Sequence, residues 1–231
     1  MIFSKNIIFK TLCILGIILF GGLFSACDML GGIYDDTLDT TNPENKDAEN
    51  TATASSMYLD ARSYTQWIYI DLHNTTPTTT TSEISLDDYS ETGKPDKWDI
   101  AIHRYDIKTN GAKAIMTSYK TITELEAAGL PTNPQWVADE YLDEAIWVDM
   151  SHMLEGYIVY APSYKNVEAS RWINVDISYM PPTYTTNTNV ILLLLADGTY
   201  AALQLDDFMA KDKYRTKGYL TINYKYPIFK Q

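Results

Sequence analysis

Two short segments carry sulfur where the chain otherwise reads as turn. Met150 and Met153 flank Ser151-His152 between two strand-like runs, and Met180 is followed by Pro181-Pro182. Proline ends regular strand pairing, which puts Met180 at a loop tip near a sheet edge. A methionine's ordinary role is to fill gaps in a core. On two separate loops, a pair of thioethers could also clamp a soft metal or the iron of a haem. There, sulfur favours Fe(II) and raises the reduction potential relative to imidazole. Other chemistries lack their residues. The three histidines, His73, His103 and His152, form neither HExxH nor a paired spacing suited to zinc. The chain has no GxSxG elbow, P-loop or GxGxxG. Its carboxylates are scattered as solvated surface is, so nothing in the sequence argues for an enzyme.

Cys27 brings a different chemistry. It follows a positive segment with Lys5 and Lys10, an apolar run through residues 14–23, and the small residues Ser25 and Ala26. That order is a cleaved export signal. A cysteine at the cut marks a bacterial lipoprotein, whose new terminal thiol carries lipid. The reading is therefore a signal peptide over residues 1–26, a lipidated Cys27, and a membrane tether. Cleavage removes Lys5, Lys10 and Cys13, which lowers the formal net charge from -12 to -14. So acidic a chain is a poor partner for nucleic acid. Cys27 is then the sole cysteine, and lipid consumes it. Disulfides, cysteine-based zinc sites and thiolate ligation are excluded.

Residues 27–56 are polar and acidic and read as a flexible linker; the folded domain is expected over residues 57–231. Its runs are rich in β-branched and aromatic residues. In residues 66–72, Trp67, Tyr69 and Asp71 alternate with Ile68, Ile70 and Leu72. Further strands are expected at residues 98–105, 145–149, 155–160, 171–177, 190–195, 199–205 and 218–226. Asp197-Gly198 gives a hairpin signal between two of these. Residues 75–81, broken by Pro77, read as an exposed loop. Thr121 with Glu124 three residues on predicts a capped helix that ends at Gly129, and residues 206–213 could form another. The expected fold is all-β, mostly antiparallel, with one or two short helices.

Three blocks make the chain familiar. Trp98-Asp99-Ile100-Ala101-Ile102-His103-Arg104-Tyr105-Asp106 with Lys108-Thr109-Asn110-Gly111, then Met180-Pro181-Pro182-Thr183-Tyr184, then residues 189–226 with Ala196-Asp197-Gly198-Thr199-Tyr200, resemble the HmuY family of haem-binding lipoproteins. The resemblance covers nearly all of the mature domain. It implies an HmuY-like β fold holding one haem, haem b (iron protoporphyrin IX), between loops at one end. It implies hemophore-like work: taking haem from host or community haemoproteins and passing it to a TonB-dependent receptor at the outer membrane. The lipid anchor would then hold the protein at the cell surface. Asp35 and Asp36 resemble the surface-export signal of Bacteroidetes lipoproteins. Family members ligate iron with two histidines or with two methionines. The methionine pattern carries over onto Met153 and Met180 as axial ligands, with Met150 and His152 as competitors for the first position and Met116 as a further candidate. His103 falls in the strand motif, as a structural residue would.

A reading from another class is a carbohydrate-binding or adhesin-like surface module, since the chain has five Trp and 18 Tyr. Those aromatics mostly fall inside strand periods, as core residues do.

Overall fold

The computed structural model describes residues 50–52, 55–178 and 182–229. The signal peptide, Cys27 and most of the linker lie outside them. In chain order the strands are β1 (Thr51–Ala52), β2 (Ser56–Asp60), β3 (Gln66–Asp71), β4 (Thr78–Ile84), β5 (Glu91–Thr92), β6 (Ile100–His103), β7 (Asp106–Thr109) and β8 (Lys113–Met116). Helix α1 (Ile122–Ala128) comes next, then β9 (Val137–Ala138), β10 (Glu140–Asp149) and β11 (Val159–Lys165). The chain closes with β12 (Ile173–Asp176), β13 (Thr183–Thr186), β14 (Ile191–Leu194), β15 (Tyr200–Met209) and β16 (Lys217–Lys225).

Alternation builds a sandwich. One sheet runs β1-β2-β16-β15-β14-β8-β9 and the other β5-β4-β3-β6-β7, with every pairing antiparallel. Between them lie Ile68, Ile70, Ile100 and Ile102 from the smaller sheet and Leu59, Leu193, Leu203 and Ile222 from the larger. The opposite faces are covered too. Trp67, Tyr69 and Ala101 point away from that core and pack with Ala145, Ile146 and Val148 of β10. On the far side of the large sheet, Leu125 of α1 joins Leu192 and Ala202. The two-stranded ribbons β10-β11 and β12-β13 are sheets of their own.

The fold is the expected all-β one, and α1 has the expected capping box: the Glu124 N–H donates to Thr121 Oγ1 at 3.1 Å and Glu124 reaches back to the Thr121 N–H. Some boundaries differ. Residues 75–81 are not a loop: the β-branched run from Thr78 pairs with β3 in the register Asp71↔Thr78. Pro77 stands just ahead of it, where its missing N–H costs no ladder bond. Residues 206–213 are not a helix either. Strand β15 continues to Met209 past a register shift at Asp207, because Phe208 is needed in the core, where it is buried. Among the described residues, strand pairing begins at Thr51, inside the tract read as linker.

Candidate functional site

Ribbon β10-β11 presents the first sulfur. Its stem is anchored by Ala145, Ile146, Val148 and Ala161 on the small sheet. Beyond β10, Asp149 accepts hydrogen bonds from the Ser151 N–H (2.8 Å) and Oγ (3.0 Å), which starts a tight turn. The segment read as strand at residues 155–160 instead opens with a 3-10 turn, Met153–Glu155, closed by Gly156 at φ +93. The Met153 N–H donates to the Met150 carbonyl at 3.0 Å. This turn sends the Met153 side chain inward, 6% exposed, while His152 and Leu154 point outward. His152 stacks on Tyr157 (centroids 4.7 Å apart, planes at 11°) and contacts Glu155 through Nδ1 at 3.1 Å.

Ribbon β12-β13 stands opposite a second set of aromatics. The segment read as strand at residues 171–177 begins with a 3-10 turn, Ala169–Trp172, and only then becomes β12. Its root is fixed. The Ile107 N–H donates to Ser170 Oγ (2.9 Å), and Trp172, fully buried, donates from Nε1 to the Tyr105 carbonyl (2.7 Å). Tyr105 is thereby held edge-on to Trp147 of β10 (6.1 Å) and to Tyr184 of β13 (6.2 Å). Between the ribbons lies a cavity of about 230 Å³ lined by Tyr105, Trp147, Tyr160, Ile173 and Val175. Asp106 and Lys165 form an ion pair at 2.5 Å in its wall. Burial raises the Asp106 pKa against the pull of Lys165. Leu154, Tyr157 and Ile177 are exposed apolar residues in the segments that follow β10 and β12.

The other candidates are placed as follows. Met180 lies outside the described residues, in the segment between β12 and β13. Met116 packs against the main core, and Met150 is half-buried directly after β10. His73 bridges two carboxylates, Nδ1 to Asp99 (3.0 Å) and Nε2 to Asp197 (2.9 Å), and the Asp197 bond raises its pKa. With Asp71 and Asp99 it forms a cluster of metal-ligand type at the sandwich edge. His103 is fully buried, and its Nε2 meets the Tyr64 carbonyl at 2.8 Å. All five tryptophans are buried or half-buried, whereas Tyr141, Tyr157, Tyr164 and Tyr214 are exposed.

Sequence reasoning missed Tyr105, Trp147 and Tyr160 as walls of one cavity, with Tyr184 packed behind Tyr105. Tyr105 and Tyr184 each fall in a block that makes the chain familiar, but the cavity itself is assembled by tertiary packing. Sequence reasoning also missed a buried charge cluster. Lys108 pairs with Glu91 at 2.9 Å and lies 4.0 Å above the Trp67 ring, and burial pushes its pKa down to about 8.

The comparisons agree with this architecture. The HmuY protein family model matches residues 63–224. A Bacteroides fragilis protein described as a lipoprotein is 41% identical, with a TM-score of 0.67 over 77% of this chain and 91% of its own. A Bacteroides vulgatus protein described as an HmuY-like heme binding protein is 39% identical, with a TM-score of 0.65 over 78% and 94%. An apo HmuY analog from Tannerella forsythia, 24% identical, shares the fold at a TM-score of 0.58 over 76% and 95%. Among curated proteins there is no match. With a family match across both sheets and both ribbons, and two relatives near 40% identity, the chain belongs to the HmuY family.

Proposed function

We propose that this chain captures haem b between its two ribbons, with Met153 and Met180 as axial ligands, and passes it to a TonB-dependent outer-membrane receptor. The observation that carries the proposal is the inward Met153 thioether, set by a 3-10 turn on the ribbon whose stem walls an aromatic cavity. The described haem binding of the B. vulgatus relative supports it. The cavity alone is below the roughly 300–1,000 Å³ usual for a small-molecule site. The macrocycle would also need the apolar surface at Leu154, Tyr157 and Ile177, and aromatic walls suit its faces. His73 and His103 are engaged elsewhere, so imidazole ligation would fall to His152 alone. Bound iron would supply a centre that exchanges one electron. Thioethers do not protonate in the physiological range, so ligation should persist in acid, and ferrous haem should bind more tightly than ferric.

Residues 1–26 act, in this proposal, as the signal peptide, Cys27 carries lipid, and the acidic linker holds the domain at the cell surface. The described lipoprotein character of the B. fragilis relative supports the anchor. Haem titration of the chain in both redox states tests the reading. The expected result is a Soret band that shifts on reduction with dithionite, and loss of the six-coordinate ferrous spectrum in the Met153→Ala/Met180→Ala variant. Retention of that spectrum would overturn the ligands. No haem binding at micromolar concentration would overturn the function.

A further inference from the structure

The chain has 18 Lys and Arg against 30 Asp and Glu, yet residues 210–217 gather Lys211, Lys213, Arg215 and Lys217 with a single acid, Asp212. They form the turn between β15 and β16, and that turn is built rather than slack. Asp212 Oδ1 accepts the N–H groups of Tyr214 (3.0 Å) and Arg215 (2.9 Å), and the Ala210 N–H donates to the Thr216 carbonyl (2.7 Å). Arg215 sits at φ +55, in the left-handed region where glycine would be at ease. A long cationic side chain kept at such a position is an outlier that asks for a use. Its Nη2 meets Asp207 at 2.9 Å, which orients the guanidinium while leaving the side chain 53% exposed.

The turn also has a fixed neighbour. Lys217 Nζ lies 5.2 Å from the centroid of Tyr184, on ribbon β12-β13. That same ring packs against Tyr105, which lines the cavity between the ribbons. This cationic turn is therefore linked to the cavity-lining Tyr105 through a single intervening ring, Tyr184.

We infer that Arg215 and Lys217 bind the propionate carboxylates of the tetrapyrrole, an inference that rests on the haem reading above. Haem carries two carboxylates on one edge, and a protein of net charge -12 repels them unless it offers a local positive field. A guanidinium suits a carboxylate through paired donors, and an ammonium serves as a compact point charge. The two residues act as positioning groups: they set which edge of the macrocycle faces β15-β16, while the iron is held elsewhere.

The test compares hemin with hemin dimethyl ester, whose propionates are uncharged, on the full chain and on its Arg215→Gln/Lys217→Gln variant. Hemin affinity should fall roughly tenfold for each charge-assisted bond lost, so about 10- to 100-fold in the double variant. Ester affinity should be the same for both proteins. The wild type should prefer hemin to its ester by a similar factor. If the double variant misfolds, Lys217→Gln alone keeps the Arg215–Asp207 pair and should show the single-bond loss. Unchanged hemin affinity in the variants, or an equal loss for both ligands, would overturn the inference while leaving the haem reading intact. A wild type that binds neither ligand would overturn the haem reading, and this inference with it.

Discussion

Replacing His103 by Gln should remove a pH dependence from the stability of this domain. His103 is 0% exposed in β6, tilted against Trp67 with ring centroids 5.4 Å apart. Its Nε2 faces the Tyr64 carbonyl at 2.8 Å, so the neutral ring must carry its proton there. Nδ1 is buried with no hydrogen-bond partner, and protonating it would bury an unpaired N–H. Burial, reinforced by the nearby charges of Arg104 and Lys108, pushes the pKa down to about 4. The unfolded chain titrates near 6.5. Because the folded value is the lower one, the stabilisation is complete above about pH 6.5. It is lost as pH falls toward about 4, where the unfolded state binds a proton that the folded state refuses. The interval corresponds to about 3 kcal/mol. Urea unfolding of wild type and His103→Gln at about pH 7 and about pH 4.5 reads this directly. The wild type's advantage should shrink by roughly 2–3 kcal/mol across that range. Parallel pH profiles would refute the reasoning and would reopen His103 as a group able to take a proton or a metal.

Two further perturbations follow from backbone geometry. Gly218 adopts φ +96, and a Cβ there would lie 3.0 Å from Arg62 Cγ and 3.2 Å from Arg104 Nη1. Gly218→Ala should cost about 1–3 kcal/mol by thermal unfolding. It should exceed Gly156→Ala, which meets nothing within 4 Å and bears only its conformational cost. Thr121→Ala removes the Oγ1 acceptor of the α1 capping box while keeping the backbone N–H that donates to Glu124, and should cost about 1 kcal/mol in urea, with haem affinity unchanged.

Much of the sandwich is legible in the chain because period two is written plainly. Ile68 and Ile70 against Trp67 and Tyr69 place β3 between two apolar layers, and Asp197-Gly198 turns β14 into β15 with Gly198 at φ +87. Polar composition hides β4, where threonines occupy a strand whose exposed side needs no apolar residue. Charge hides the cluster at Lys108, since the sequence gives no sign that Glu91, Tyr69 and Ser82 would be folded around each other. The methionines are legible as candidates by residue type and by flanking turn residues. What the sequence does not state is direction. Met153 and His152 are neighbours, and only the 3-10 turn decides that sulfur faces inward and imidazole outward.

The two ribbons have their own sheets, apart from the sandwich that carries most of the buried surface. A two-stranded ribbon is marginal by itself and depends on the body it rests on. The reverse dependence is weak, because exchanging a residue at a ribbon tip leaves the sandwich core untouched. Under the proposed ligation, the group at a ribbon tip could therefore change between sulfur and nitrogen by single substitutions, without any lineage having to cross an unfolded intermediate. A relative 24% identical still keeps this framework. Descent in such a lineage can conserve the architecture while leaving the residues at the ribbon tips open to selection.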